Sequence, residues 1–309
     1  MQILRGRRDG VDQLAVSPDS RYVAVGAFTC HVWDLHNAKA KPKAIFTGNL
    51  TVAAREIQFL NSVRVLVKIS PPQRWFCHNF ETGAATDLLN EPNRFLHTVC
   101  VHPSGSLLKM LSRPAVTRSE RLRSHRISGD RLSPPEPDSA GPLILRLFGF
   151  SPDGTQYLAE TDFTGQTTGR HHLYDTATDA VVATFARHPG HSFNDCTWCF
   201  APTGRELFVV ASRHLLRYDC ATGGLPTAVL ALTGPEVGAC PPIAAHPDGR
   251  VIATVEDGRA VTFRDADTLG VLRTYDFAMP TVTCVAFTPD GTRCVIGNSR
   301  GKVLLFDVD

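Results

Sequence analysis

No stretch of this sequence approaches the roughly 18 uninterrupted apolar residues of a membrane-spanning helix, so no span is expected. Residues Met1 to Gly10 carry Arg5, Arg7 and Arg8 without the apolar core of a secretory leader, and a soluble, cytoplasmic protein is the expectation. An excess of one charge is missing too. The 32 Lys and Arg against 30 Asp and Glu leave a formal +2, short of the basic footprint of a dedicated nucleic-acid binder, so nucleic acid is not an expected partner. Gly and Pro, at 24 and 21 of 309 residues, are near average usage, which excludes collagen and low-complexity disorder. The nine cysteines are odd in number and irregularly placed, which fits reduced buried thiols better than a disulfide framework. The sequon Asn49-Leu50-Thr51 is then idle.

What is present is a repeat. An apolar strand running into a Pro-Asp-Gly-type turn recurs as Val16-Ser17-Pro18-Asp19-Ser20, Val101-His102-Pro103-Ser104-Gly105, Phe150-Ser151-Pro152-Asp153-Gly154, Phe200-Ala201-Pro202-Thr203-Gly204, Ala245-His246-Pro247-Asp248-Gly249 and Phe287-Thr288-Pro289-Asp290-Gly291, with Phe59-Leu60-Asn61-Ser62 as a worn copy. The turns fall at 18, 61, 103, 152, 202, 247 and 289, spaced 42 to 50 residues apart, which is the period of a solenoid or propeller. An apolar run such as Tyr22-Val23-Ala24-Val25 or Leu207-Phe208-Val209-Val210 follows each turn and suits a strand buried on both faces. A second landmark follows each run: Trp33-Asp34, His78-Asn79, Tyr174-Asp175, Tyr218-Asp219, Arg264-Asp265 and Phe306-Asp307, with Arg126 as the worn landmark of the third unit. Strands separated by turns at intervals of about 8–12 residues, four per unit, describe a four-stranded antiparallel blade.

The period and its landmarks resemble the WD40 family, whose repeat ends in Trp-Asp and opens with Gly-His. Trp33-Asp34 keeps the terminal dipeptide and Gly190-His191 the opening one; Gly6-Arg7 stands in the same register with Arg for His. The resemblance implies an all-β fold, a seven-bladed propeller spanning residues 1–309 as one domain, with blades over about 7–48, 49–90, 91–139, 140–186, 187–232, 233–276 and 277–309 plus 1–6. Val303 to Asp309 supplies a third strand with no fourth, and Gln2-Ile3-Leu4-Arg5 precedes the first unit, so closure of the ring by the N-terminal strand is expected, with no appended domain. The structural landmarks are Trp33, Asp34, Asp175, Asp219, Asp265, Asp307 and His191. In the family a His, a Ser or Thr, an Asp and the Trp of one blade form a hydrogen-bonded chain; His78, Tyr174, Tyr218, Arg264 and Phe306 at the Trp position preclude it in most blades here.

The chemical motifs come out weak. Gly297-Asn298-Ser299-Arg300-Gly301-Lys302 is one residue short of a phosphate loop and has Val303 where Ser or Thr would bind magnesium, so it reads as a hairpin turn. Cys196-Thr197-Trp198-Cys199 has the spacing of a redox or zinc half-site, but residues three apart in a strand point to opposite faces. His171 and His172 diverge for the same reason. Zinc needs three or four convergent ligands, and His188, His191 and Asp195 are the place to look; no cofactor and no metal are expected.

The most distinctive local feature is Arg113 to Arg131, six arginines against Glu120 and Asp130, followed by Ser133-Pro134-Pro135-Glu136-Pro137-Asp138. It reads either as a worn strand of the third blade with a solvated, Pro-stiffened loop, or as a partner or anion surface built on Arg118, Arg121, Arg123 and Arg126, since guanidinium groups bind carboxylate and phosphate bidentately. The expectation is a non-catalytic protein-interaction scaffold, a monomer within a complex whose partners are proteins. The alternatives are a binder of an acidic or phosphorylated ligand through 113–131 and a propeller enzyme with its site in the central channel.

Overall fold

A computed structural model of the chain describes residues 2–5, 10–37, 41–47, 53–70, 74–88, 94–114, 121–128, 131–133, 144–161, 170–186, 196–211, 213–232, 241–278 and 280–308. These residues form seven four-stranded antiparallel sheets and one short 3-10 turn, Leu35–Asn37. Strand β1 (Gln2–Arg5) comes first in the chain and belongs to the last sheet. Blade 1 is β2 (Gln13–Val16), β3 (Tyr22–Gly26), β4 (Thr29–Asp34) and β5 (Lys43–Thr47). Blade 2 is β6 (Ala53–Phe59), β7 (Arg64–Ser70), β8 (Arg74–Asn79) and β9 (Ala85–Asp87); blade 3 is β10 (Arg94–Val101), β11 (Leu107–Pro114), β12 (Arg121–Ser128) and β13 (Arg131–Leu132). Blade 4 is β14 (Ile144–Phe150), β15 (Gln156–Thr161), β16 (Arg170–Asp175) and β17 (Val181–Phe185), and blade 5 is β18 (Cys196–Phe200), β19 (Glu206–Ala211), β20 (His214–Asp219) and β21 (Ala228–Ala231). Blade 6 is β22 (Ile243–Ala245), β23 (Val251–Val255), β24 (Ala260–Asp265) and β25 (Val271–Asp276). Blade 7 is β26 (Val282–Phe287), β27 (Arg293–Asn298) and β28 (Lys302–Asp307), completed by β1.

The ring closes as expected. β1 lies antiparallel to β28 with Gln2 opposite Leu305 and Arg5 opposite Lys302, and Leu4, 1% exposed, packs with Trp33, Val295, Val303 and Leu305 where blades 7 and 1 meet. First strands face the centre and their neighbours: β2 lies beside β6 and β26, β10 beside β6 and β14, and β22 beside β18 and β26. Second strands are buried over most of their described length because both faces are covered, as in β19, where Leu207 to Ala211 are at most 1% exposed. Each of the seven apolar clusters draws residues from two adjacent blades, so the interior is a ring of blade-to-blade contacts with no single centre.

Turn chemistry explains the sequence landmarks. The Ser17, Ser151 and Thr288 hydroxyls donate to Asp19, Asp153 and Asp290 two residues on, at 2.5–2.6 Å. The same hydroxyls accept the N–H of Tyr22, Gln156 and Arg293, which starts the next strand. The turn glycines sit at positive φ, 74° at Gly154 and 73° at Gly291; a Cβ on Gly154 would fall 2.0 Å from the His102 ring of blade 3. His102 and His246, in the Ser position of their own turns, donate through Nε2 to the Gly154 and Gly291 carbonyls, linking each blade to the next. The phosphate-loop lookalike is the hairpin between β27 and β28, closed by Gly301 N–H to the Asn298 carbonyl.

Candidate interaction surfaces

The second landmarks align in register. In all seven blades the landmark residue of the third strand lies opposite the first residue of the second strand: Asp34 with Tyr22, Asn79 with Arg64, Arg126 with Leu107, Asp175 with Gln156, Asp219 with Glu206, Asp265 with Val251 and Asp307 with Arg293. Four of the five carboxylates are used by their own turns, while Asp307 lies 3.7 Å from Arg293. Asp175 Oδ1 accepts from Ala177 N–H, Thr178 N–H and the Thr178 hydroxyl, and these bonds hold its carboxyl below the usual range. Asp265 is held low in the same way by Thr268 N–H and hydroxyl, and Asp219 accepts from Ala221 and Thr222 N–H. Asp34 accepts from His36 N–H and pairs with Arg21 at 3.1 Å.

Blade 3 departs from this pattern. Arg126 stands where five blades have Asp and one has Asn, and an arginine cannot accept N–H groups. The third strand runs on past it, with Ile127 opposite Leu132 and Ser128 opposite Arg131, and Ser133 extends that ladder: its hydroxyl accepts Arg126 N–H at 2.9 Å and its N–H donates to the Arg126 carbonyl at 2.8 Å.

The arginine segment is not one patch. Strand alternation along β12 places Leu122, Ser124 and Arg126 on the side of blade 4, where Leu122 packs, and Arg123 with Ile127 on the side of blade 2. Arg118 lies outside the described residues, as does the Arg121 side chain. Arg126 is exposed and lines a cleft of about 680 Å³ between blades 3 and 4, on the face that carries the first- and second-landmark turns. His102, Ser106, Ser124 and Arg126 form the blade-3 wall; Thr155, Asp175 and Thr176 form the other. Beneath it, Lys109, 1% exposed, donates to Asp179 Oδ1 of blade 4 at 2.6 Å and to the Ser124 hydroxyl at 3.3 Å, and lies 4.5 Å from the centre of the Tyr157 ring. The Tyr157 hydroxyl donates to the same carboxylate oxygen at 2.9 Å, so the two walls are tied together through four side chains. Sequence reasoning missed Lys109 and Asp179; the signal was a lysine inside the apolar run Leu107-Leu108-Lys109-Met110-Leu111.

The other candidates sit apart. Cys196 packs with the blade 4–5 cluster and Cys199 against the blade 5–6 cluster, where its thiol accepts Ala245 N–H at 3.1 Å. Burial pushes the Cys199 thiol up to about 11. His171 lies among Phe148 and Trp198, at ring distances of 5.2 and 4.6 Å, while His172 bonds Thr184 on the opposite face of β16. No group of three or more His, Cys, Asp or Glu able to hold a metal occurs among the described residues, and His188, His191 and Asp195 lie outside them. Of the residues at the Trp position, Trp33 is 4% exposed, and Arg264 of blade 6 is buried against Glu256 and the Leu269 carbonyl. Outer strands of blades 4 to 6 expose Val181, Val182, Val229, Val271 and Leu272. No described helix is long and apolar enough to cross a membrane.

A closed ring of seven four-stranded blades with Asp-capped turns defines a β-propeller of the repeat-built kind. The family model described as WD domain, G-beta repeat matches residues 1–34 and 270–307, the two segments joined where β1 completes blade 7. With the seven-bladed ring, these matches at both ends of the chain support a WD40-repeat protein. No curated protein matches it.

Proposed function

We propose that this chain is a non-catalytic interaction scaffold that holds an extended segment of a protein partner on its turn face. WD40 propellers generally bind proteins. The observation that carries the reading is the cleft between blades 3 and 4, whose volume falls in the range of ligand sites and whose walls are held by the Lys109–Asp179–Tyr157 network before any partner arrives. The landmark carboxylates Asp175, Asp219 and Asp265 are engaged in closing turns, which suits them to structure rather than to acid–base work. The nine cysteines, odd in number and irregularly placed, support a reducing, cytoplasmic setting.

The test is affinity purification of the intact chain from its native cells beside Ser106→Trp. The matching turn position carries arginine in blades 1, 5 and 6 (Arg21, Arg205, Arg250), so a large side chain is tolerated there and fills the cleft. A partner held by the wild type and lost by the variant is expected. Equal capture by both removes the cleft from the reading, and turnover of a substrate by the purified chain ends the non-catalytic one.

A further inference from the structure

The outer strands of the seven blades differ in what they leave open. β9 and β13 have only three and two residues. The outer edge of β17 is taken by the neighbouring blade, where Gly224 N–H donates to the Thr184 carbonyl at 2.8 Å and the Gly224 carbonyl accepts Ala186 N–H at 2.7 Å. β25 is the longest outer strand, at six residues, and among the described residues no strand pairs with its outer edge. Val271 and Leu272 are 59% and 57% exposed, and Arg273 and Thr274 are exposed beside them. The ladder fixes which backbone groups look outward. Ala266 N–H donates to the Arg250 carbonyl, so even-numbered residues of β24 bond toward β23 and odd-numbered ones toward β25. Val261 and Phe263 thus bond Tyr275 and Arg273, which leaves Thr274 and Asp276 with their N–H and C=O groups turned away from the sheet.

We propose that β25 is a second docking edge, on the rim of the ring, which takes an extended segment of a protein partner as a fifth strand of blade 6 with an acidic side chain opposite Arg273. It stands independently of the blade 3–4 cleft. An unpaired, apolar strand edge is a ready template for an added strand: main-chain bonds hold the segment and alternate side chains select it. Tyr275 and Phe277 pack into the cluster shared with blade 7, so odd-numbered residues of β25 face that blade, and the Arg273 guanidinium lies 5.0 Å from the centre of the Tyr275 ring. A residue opposite Arg273 on the added strand shares this face, where a carboxylate is favoured and a cation opposed. Leu272 and Thr274 lie on the other face and suit apolar or β-branched neighbours. A second copy of this chain fits the edge poorly. Two identical antiparallel strands are related by a two-fold axis perpendicular to the sheet, so a residue meets only residues of its own parity. Arg273 would meet Val271, Tyr275 or another Arg273, and never Asp276, the one carboxylate of the strand.

The test selects displayed random peptides on the purified full chain, with counter-selection on Thr274→Pro. That substitution removes an outward N–H and none of the bonds to β24, the placement in which an edge strand tolerates proline. Peptides kept by the wild type and lost by the variant are expected, with alternating β-branched or aromatic residues and an Asp or Glu at one shared position. Arg273→Glu should weaken them about tenfold, since attraction across the strands becomes repulsion, and should bind versions carrying Lys there. Amide hydrogen exchange of the wild type with a selected peptide should newly protect Thr274 and Asp276 while leaving Thr155 and Thr176 of the cleft unchanged, and this readout decides by itself if the proline variant unfolds. Failure to select any peptide, equal binding by a folded Thr274→Pro, or no protection at Thr274 and Asp276 overturns strand addition. Equal binding by Arg273→Glu overturns the acidic residue. A chain that sediments as a dimer and becomes a monomer on Thr274→Pro overturns the choice of a different protein over a second copy.

Discussion

Lys109 offers the sharpest quantitative test of how blades 3 and 4 are joined. Its side chain is 1% exposed and its ammonium meets Asp179 at 2.6 Å, while Asp179 itself is 30% exposed. Removing one partner of a fully buried pair costs about 3–5 kcal/mol because the other is left as an uncompensated charge. Here the survivor is an aspartate that keeps some water and the Tyr157 hydroxyl, so Lys109→Met, which retains most of the buried methylenes, should cost about 2–3 kcal/mol. Lys109→Ala also loses several buried methylenes at about 0.8 kcal/mol each and should cost about 4–5 kcal/mol. For a chain of 309 residues the alanine variant should lower Tm by roughly 6–8 °C. Asp179 has φ of 55°, a conformation asparagine also tolerates, so Asp179→Asn removes the charge with little backbone strain. Chemical denaturation of wild type, Lys109→Met, Asp179→Asn and the double variant, with reversibility checked, gives the coupling, which should be about 1–3 kcal/mol. A methionine variant within about 0.5 kcal/mol of wild type, or additive single effects, would refute the account of a structural ion pair.

Three further outcomes follow from packing and burial. Leu4→Ala should cost about 2–5 kcal/mol and Trp33→Ala about 3–5, because both side chains seal the junction of blades 7 and 1; unchanged thermal stability after removal of residues 1–6 would count against closure by β1. Burial, with the Arg146 and His172 charges behind it, pushes His171 down to about 3, so the folded state holds it neutral while the unfolded chain protonates it near 6.5. Stability from this group is therefore present above about pH 6.5 and lost as pH falls from there toward 3, with a slope approaching 1.4 kcal/mol per pH unit that His171→Phe should flatten in pH-dependent denaturation. Burial raises the thiols of Cys30, Cys100, Cys220, Cys284 and Cys294, so at pH 8 a thiol reagent should label these five only as fast as the protein unfolds; rapid labelling of the native protein would contradict their burial.

The fold was legible because its information is local. An Asp or Asn that closes a turn, a Gly held at positive φ and a run buried on both faces each leave a mark within about ten residues, and seven copies make the marks count. Arg126 could be placed as the worn third landmark from spacing alone, and the register bears that position out. The cleft was not legible, because it exists only between blades. Lys109 and Asp179 lie 70 residues apart and meet because successive blades pack face to face. The arginine-rich stretch misleads when its charges are counted along the chain: in a strand alternate residues diverge, so Arg123 and Arg126 serve different neighbours.

Pairing of β1 with β28 also sets an order of events during synthesis. Gln2 faces Leu305, so of the strands of the ring the first to be synthesised is needed by the last. At about 5–20 residues per second, the intervening 300 or so residues take roughly 15–60 s to appear. Through that interval Ile3 and Leu4 wait without their partner while blades 1 to 6 have everything they need to assemble in turn. The seventh blade is thus a delayed clasp: the growing chain holds an open arc of blades whose two end faces stay uncovered until the closing seconds, which is when chaperones and premature self-association compete for it most directly.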